Sequence, residues 1–256
     1  MSRLKTLFEK KPANVLNIYC TAGYPELNST LLVMQTLQES GADIIELGMP
    51  YSDPLADGET IQNSSIVALK NGMTIAKLFE QLKAMRSTIT IPVILMGNIN
   101  PVLLYGFERF CTDAAAVGVD GLIIPDLPPY EFEALYKPIL ERNGLDFIFL
   151  VTPETSAERV HLLDGLSSGF LYAVSSSSTT GKDKNFAEVE TYLERLKGYQ
   201  LKNPVLVGFG IKDKTTFSRA AKYANGAIIG SAFIKALEGK TDVAAVTKDF
   251  VKGILD

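Results

Sequence analysis

Eight short apolar runs recur along the chain, and they constrain its fold more than any other feature. They lie at residues 15–20, 43–48, 92–97, 121–125, 146–151, 169–174, 204–209 and 226–230. Each is rich in Val, Ile, Leu or Phe, and continuous apolarity over so few residues marks strands covered on both faces, as in parallel sheets. Amphipathic segments separate them. Leu27, Leu31, Met34 and Leu37 repeat at helical spacing, and comparable stretches cover 61–70, 75–86, 103–117, 131–142, 157–166, 186–196, 215–223, 232–237 and 243–254. Gly41, Gly72, Gly118, Gly144 and Gly165 stand near helix ends, where a left-handed residue stops a helix that feeds a strand. Eight strands alternating with helices in 256 residues predict one (β/α)8 barrel spanning residues 1–256. An extra helix precedes the first strand, with Leu4, Leu7 and Phe8 on one side, and the second connection carries two helices. The competing architecture is a doubly wound open sheet. It commonly shows G-x-G-x-x-G after its first strand, whereas this chain has T-A-G-Y-P.

Composition narrows the function classes. A net charge of −4 with 21% charged residues carries no basic footprint for nucleic acid. No apolar run approaches the ~18 residues of a membrane span, and the N-terminus lacks the features of a secretory signal. The two cysteines, Cys20 and Cys111, read as buried thiols of a cytoplasmic protein. With one histidine, His161, read as structural, a His-rich metal site or a Ser-His-Asp triad has little to draw on.

In a barrel of this kind the chemistry sits at the C-terminal ends of the strands. The second run ends I-I-E-L-G-M-P, and alternation puts Ile44, Glu46 and Gly48 on one face. A glutamate among apolar neighbours resists ionisation, which makes Glu46 a candidate general acid or base near neutral pH. Asp57 follows in S-D-P-L-A-D-G; by itself this is equally a turn former. The loops after runs six, seven and eight read S-S-S-S-T-T-G, G-F-G-I and I-G-S-A, and their glycines with Ser231 suit a phosphate at a helix N-terminus. No lysine stands in or at the end of a strand, where a Schiff-base aldolase needs one; Lys182 and Lys184 are in the polar loop. Acid/base chemistry with neither metal nor cofactor in this chain is the expectation.

Several segments resemble the tryptophan synthase alpha subunit family. They are E-L-G-M-P-Y-S-D-P-L-A-D-G-E-T-I-Q-N from Glu46, I-Y-C-T-A-G-Y-P from Ile18, V-I-L-M-G-N-I-N-P from Val93, L-I-I-P-D-L-P from Leu122, V-G-F-G-I from Val207 and G-A-I-I-G-S-A from Gly226. The resemblance implies a retro-aldol cleavage of indole-3-glycerol phosphate to indole and glyceraldehyde 3-phosphate, with Glu46 and Asp57 as the two catalytic carboxylates. It places the substrate phosphate at Gly181, Gly210, Gly230 and Ser231. It lines the indole pocket with Tyr19, Ile61, Leu95, Tyr172 and Phe209, with Thr180 in the closing loop. It also implies a beta subunit carrying pyridoxal phosphate, an α2β2 tetramer, and Asp53 and Pro54 in the loop facing that partner. Ser178, Glu59 and the Gly97–Asn98 pair depart from the family pattern. The residues themselves leave open another phosphosugar enzyme on this fold, a stand-alone indole-releasing lyase, and a non-catalytic barrel.

Overall fold

A computed structural model describes residues 2–54, 57–174, 186–208 and 210–256. Among them nine strands form one parallel sheet: β1 (Val15–Thr21), β2 (Ile44–Gly48), β3 (Val93–Met96), β4 (Gly121–Ile123), β5 (Asp146–Phe147), β6 (Leu150–Val151), β7 (Leu171–Ala173), β8 (Val205–Val207) and β9 (Gly226–Ile229). Eight runs become nine strands because the fifth is split at Ile148–Phe149. Its first half pairs with β4 and its second with β7. The Ile148 amide still donates to Leu122, and the Tyr172 amide to Phe149. One run thus joins the two edges of the sheet, while β1 pairs with both β2 and β9. Sequential neighbours meeting around a ring make a (β/α)8 barrel and dispose of the open-sheet alternative.

The alternation read from the sequence separates two apolar compartments. Val15, Ile44, Ile94, Ile123, Ile148, Leu206 and Ile228 fill the barrel interior, whereas Leu16, Ile18, Ile45, Leu47, Val93 and Leu171 pack outward under the helices. The N-terminal helix Arg3–Lys10 plugs the bottom. Leu4 is fully buried in the interior cluster and Phe8 packs on Phe170 with centroids 6.3 Å apart. Burying a side chain such as Leu4 stabilises by ~1.5–3 kcal/mol. Ion pairs from Arg3 to Asp120 (2.8 Å) and from Lys11 to Asp43 (2.5 Å) pin the plug to the strand starts.

Helix boundaries follow local chemistry. Gly41, Gly72, Gly118 and Gly144 adopt positive φ at helix stops as anticipated, but Gly165 lies inside Ala157–Leu166, which ends one residue later. The single stretch expected at 103–117 is two helices, Ile99–Tyr105 and Phe107–Ala116, broken at Gly106 with φ +95°. The last helix, Val243–Leu255, packs against Ser29–Glu39 and Ser231–Leu237. No helix among the described residues is long and apolar enough to cross a membrane. Cys20 and Cys111 are buried and free, and His161 is an exposed helical residue whose ring lies 5.6 Å from that of Tyr199, tilted by 49°.

Candidate active site

Glu46 occupies the middle of β2 with its side chain in the lumen and no exposure to solvent. The Asn17 amide of β1 donates to its Oε2 at 2.9 Å, and none of the ion pairs among the described residues reaches it. Its Oε1 is buried without a hydrogen-bond partner among those residues. An anion so placed loses its hydration and gains little in return. Burial therefore pushes the Glu46 carboxyl up to about 8, the Asn17 hydrogen bond opposes the rise, and the nearby Asp57 carboxylate adds to it. At neutral pH the group holds a proton that it can give to a substrate.

Asp57 sits at the end of the loop leaving β2, immediately before Gly58, which caps helix Glu59–Lys70. It is half-buried, and both burial and the Asp126 carboxylate raise its proton affinity. Gln62, one turn into that helix, donates to the carbonyls of Asp57 (2.7 Å) and Pro54 (3.3 Å), tying the loop to the helix. Asp53, exposed, accepts a 2.5 Å hydrogen bond from the Ser52 hydroxyl. Glu59 is exposed on the first helical turn, where a negative charge complements the helix dipole. It lines an outer groove with Tyr24 and Lys235 and adds no third carboxylate to the lumen.

Two tyrosines neighbour Glu46 in the lumen. Tyr19 stands in register with Glu46 across the β1–β2 ladder, and Tyr172 projects inward from β7. Both lie over glycines. A Cβ on Gly48 would meet the Tyr19 hydroxyl at 2.0 Å, and one on Gly208 would meet the Tyr172 ring at 2.0 Å. These close approaches require glycine at the ends of β2 and β8. Burial raises both phenols, and the Glu46 and Asp57 carboxylates push them further, so each stays a neutral, flat hydrogen-bonding surface. The Thr21 hydroxyl contacts that of Tyr19 at 3.4 Å and shares a 2.7 Å hydrogen bond with Ser64 of helix Glu59–Lys70.

The other pocket residues divide. Ile61 is half-buried on the first turn of Glu59–Lys70, beside the Asp57 loop. Leu95 requires a correction: it pairs in register with outward-facing Leu47 and is buried in the outer layer, whereas Ile94 and Met96 point inward. A one-residue offset moves a side chain to the other face of the sheet, so Met96, half-buried at the mouth, takes the lining position assigned to Leu95. Gly97 leaves room for Met49, whose Cε would lie 2.8 Å from a Cβ there. Gly210, at φ +64°, follows β8; Gly230 and Ser231 open helix Ser231–Leu237 after β9. A Cβ on Gly230 would lie 3.5 Å from the Cβ of Tyr19, so this turn borders the same lumen. Thr180, Gly181, Phe209 and the Ser178 departure lie outside the described residues. Among those described, no three His, Cys, Asp or Glu side chains are grouped to hold a metal ion.

Asn17, Gly48, Met96, Gln62 and Gly208 are residues at the site to which the sequence reading gave no such role. Strand alternation carried the signal for Asn17, two residues before Tyr19, and for Met96, two after Ile94. The glycines gave none, since only the tyrosine rings above them require the absent Cβ.

Comparison with known proteins places this geometry in context. A family model described as tryptophan synthase alpha chain matches residues 4–252. The tryptophan synthase alpha chain of Flavobacterium johnsoniae is 55% identical over 87% of this chain and 88% of its own length. That of Parabacteroides distasonis is 48% identical over 97% of both. Among solved structures, tryptophan synthase subunit alpha from Legionella pneumophila superposes with a TM-score of 0.91 at 34% identity, covering 99% of this chain and 97% of that one. A tryptophan synthase structure from M. tuberculosis in its aminoacrylate-bound form gives 0.86 at 35% identity over 99% and 100%. With a lumen carboxyl on β2, a second carboxylate in the loop that follows it and matches of this extent along nearly its whole length, the chain belongs to the tryptophan synthase alpha chain family.

Proposed function

We propose that this chain, acting as one barrel domain, cleaves indole-3-glycerol phosphate to indole and glyceraldehyde 3-phosphate, in the last steps of tryptophan biosynthesis. The observation that carries this reading is Glu46: a fully buried carboxyl, uncompensated by any cation among the described residues, that keeps its proton to about pH 8 beside a second carboxylate. Glu46 gives its proton to indole C3, and the ring nitrogen takes up positive charge. The Asp57 carboxylate accepts a hydrogen bond from the indole N–H and stabilises that charge. The glycerol hydroxyl next to C3 then returns a proton to Glu46 as its oxygen becomes a carbonyl, and the bonding pair of the C–C bond moves into the indolium ring. The bond breaks, both products are neutral at the reacting atoms, and Glu46 ends as it began. No metal or prosthetic group enters this sequence.

Tyr19, Tyr172, Met96 and Ile61 supply the flat apolar walls that an indole ring needs. Gly210, Gly230 and Ser231, with Gly181 from the sixth loop, bind the phosphate, and Phe209 and Thr180 complete the indole side of the site.

The partner is a beta subunit carrying pyridoxal phosphate in an α2β2 assembly, to which indole passes directly within the cytoplasm. Its docking surface is the strand-end face bearing Asp53 and Pro54.

The test is to incubate the protein with indole-3-glycerol phosphate, with and without a beta subunit, and measure indole. Release stimulated by the partner is the expected result. Release without stimulation would make the chain a stand-alone lyase, and no release in either condition would defeat the reading.

A further inference from the structure

We infer that Asn17 is a positioning residue of the reaction: it clamps one oxygen of Glu46 from below, so that the other faces the mouth of the barrel. This rests on the proposed cleavage for its meaning, though its geometry stands apart from it. Asn17 lies two residues before Tyr19 on β1, in register with Ile44, one layer beneath Glu46. The lumen around it is built from Val15, Ile44, Ile94, Leu206 and Ile228, all apolar. Asn17 and Glu46 are the two fully buried polar side chains there, and the amide Nδ2 donates to Oε2 at 2.9 Å.

The arrangement is costly. Asn17 Oδ1 and Glu46 Oε1 are both buried without partners among the described residues, and each unsatisfied buried polar atom carries its full desolvation penalty. An aliphatic residue at position 17 would fit its surroundings at lower cost. What the amide supplies is direction and balance. Direction comes from fixing Oε2, which leaves Oε1 as the atom that exchanges protons with substrate. Balance comes from the donated hydrogen bond, which favours the anion against burial, so one carboxyl can both give and take a proton near neutral pH. The other titratable groups acting on or sensing Glu46 are Asp57 from the following loop, Tyr19 and Cys20 from β1, and Tyr172 from β7; none is a cation, and none supplies the donor that Asn17 does.

Asn17→Leu, close in shape, removes the donor, and Asn17→Thr keeps a shorter one. Infrared titration reads the Glu46 carboxyl directly, its band assigned by loss in Glu46→Gln. A hydrogen bond to a charged group contributes ~1.5–3 kcal/mol, so the midpoint in Asn17→Leu rises by about one to two units. The turnover of indole-3-glycerol phosphate falls roughly tenfold to a hundredfold by the same energy, with KM changed little. Asn17→Thr lies between wild type and Asn17→Leu in both. An unmoved midpoint in either folded variant, or unchanged turnover and pH profile in Asn17→Leu, overturns the assignment. A midpoint that moves in a protein whose wild type releases no indole supports the positioning and defeats the proposed reaction alone.

Discussion

Two buried carboxylates at opposite ends of the barrel are treated in opposite ways. Asp120, at the start of β4 and 5% exposed, accepts from Arg3 (2.8 Å), Arg86 (2.5 Å) and the Val93 amide (2.8 Å). Arg86 in turn donates to the carbonyls of Gly118, Ile89 and Ile91. Each charge there meets an opposite charge or a donor, and the cluster ties the N-terminal plug to the strand starts. Glu46, at the other end and wholly buried, has one amide donor and one oxygen left unpaired. The Asp120 cluster is paired on every side in closing the bottom of the barrel, whereas the Glu46 carboxyl is left with an oxygen unpaired. Unsatisfied polarity in a sealed lumen is thus a stronger mark of chemistry than burial alone.

The comparison is tested first at its reactive end. Glu46→Gln removes the transferable proton and is expected to lower indole release roughly 10²–10⁴-fold or more while the barrel stays folded. Near-normal turnover in the folded variant would break the contrast outright. Asp57→Asn is expected to lose activity by about 10²-fold, the scale for removing one stabiliser of transition-state charge, while still binding the phosphate end of the substrate. Weakened phosphate affinity at intact turnover would show that Asp57 belongs to a different subsite.

At the structural end, Asp120→Ala leaves Arg86 and the Val93 amide without their acceptor. Breaking such a pair costs ~3–5 kcal/mol, reduced here because Arg3 is half-exposed, so about 2–4 kcal/mol is expected in urea unfolding with turnover nearly unchanged. Stability kept while turnover is lost would reverse the roles of the two ends.

The pH dependence of stability is the subtlest test. The Glu46 carboxyl is raised from 4.5 to about 8 in the folded protein, so the native state holds one more proton than the unfolded chain between those values. The protonated acid's contribution is complete below pH 4.5 and is lost as pH rises through about 8. Glu46→Gln cannot lose it, so the variant gains on the wild type across that interval by on the order of a few kcal/mol, and the gap is flat above it. Parallel stability curves from acid to alkaline pH would show that Glu46 ionises freely in the fold.

Much of this was legible in the chain. The eight runs located every stave, and the helical stretch at 157–166 matched its element end to end. Other elements were misread where backbone chemistry overrode side-chain pattern. The apolar periodicity of 103–117 passes straight through Gly106, yet a positive φ there breaks the helix. The run at 146–151 looked like one strand, but its two ends serve different neighbours. Leu95 shows how fine the limit is, since a single step along β3 decides whether a side chain faces the lumen or the helices.

By itself the sequence determined the barrel and the placing of Glu46 on the lumen-facing side of β2, because strand alternation is a local property. It marked Asp57 only through resemblance, for a carboxylate in a Pro- and Gly-flanked loop has no local sign of its role. Tertiary structure alone decided that Asn17 reaches Glu46 and that Gly48 and Gly208 must lack a Cβ beneath Tyr19 and Tyr172. Those facts depend on which strands become neighbours and in what register, and register is set only when the ring closes.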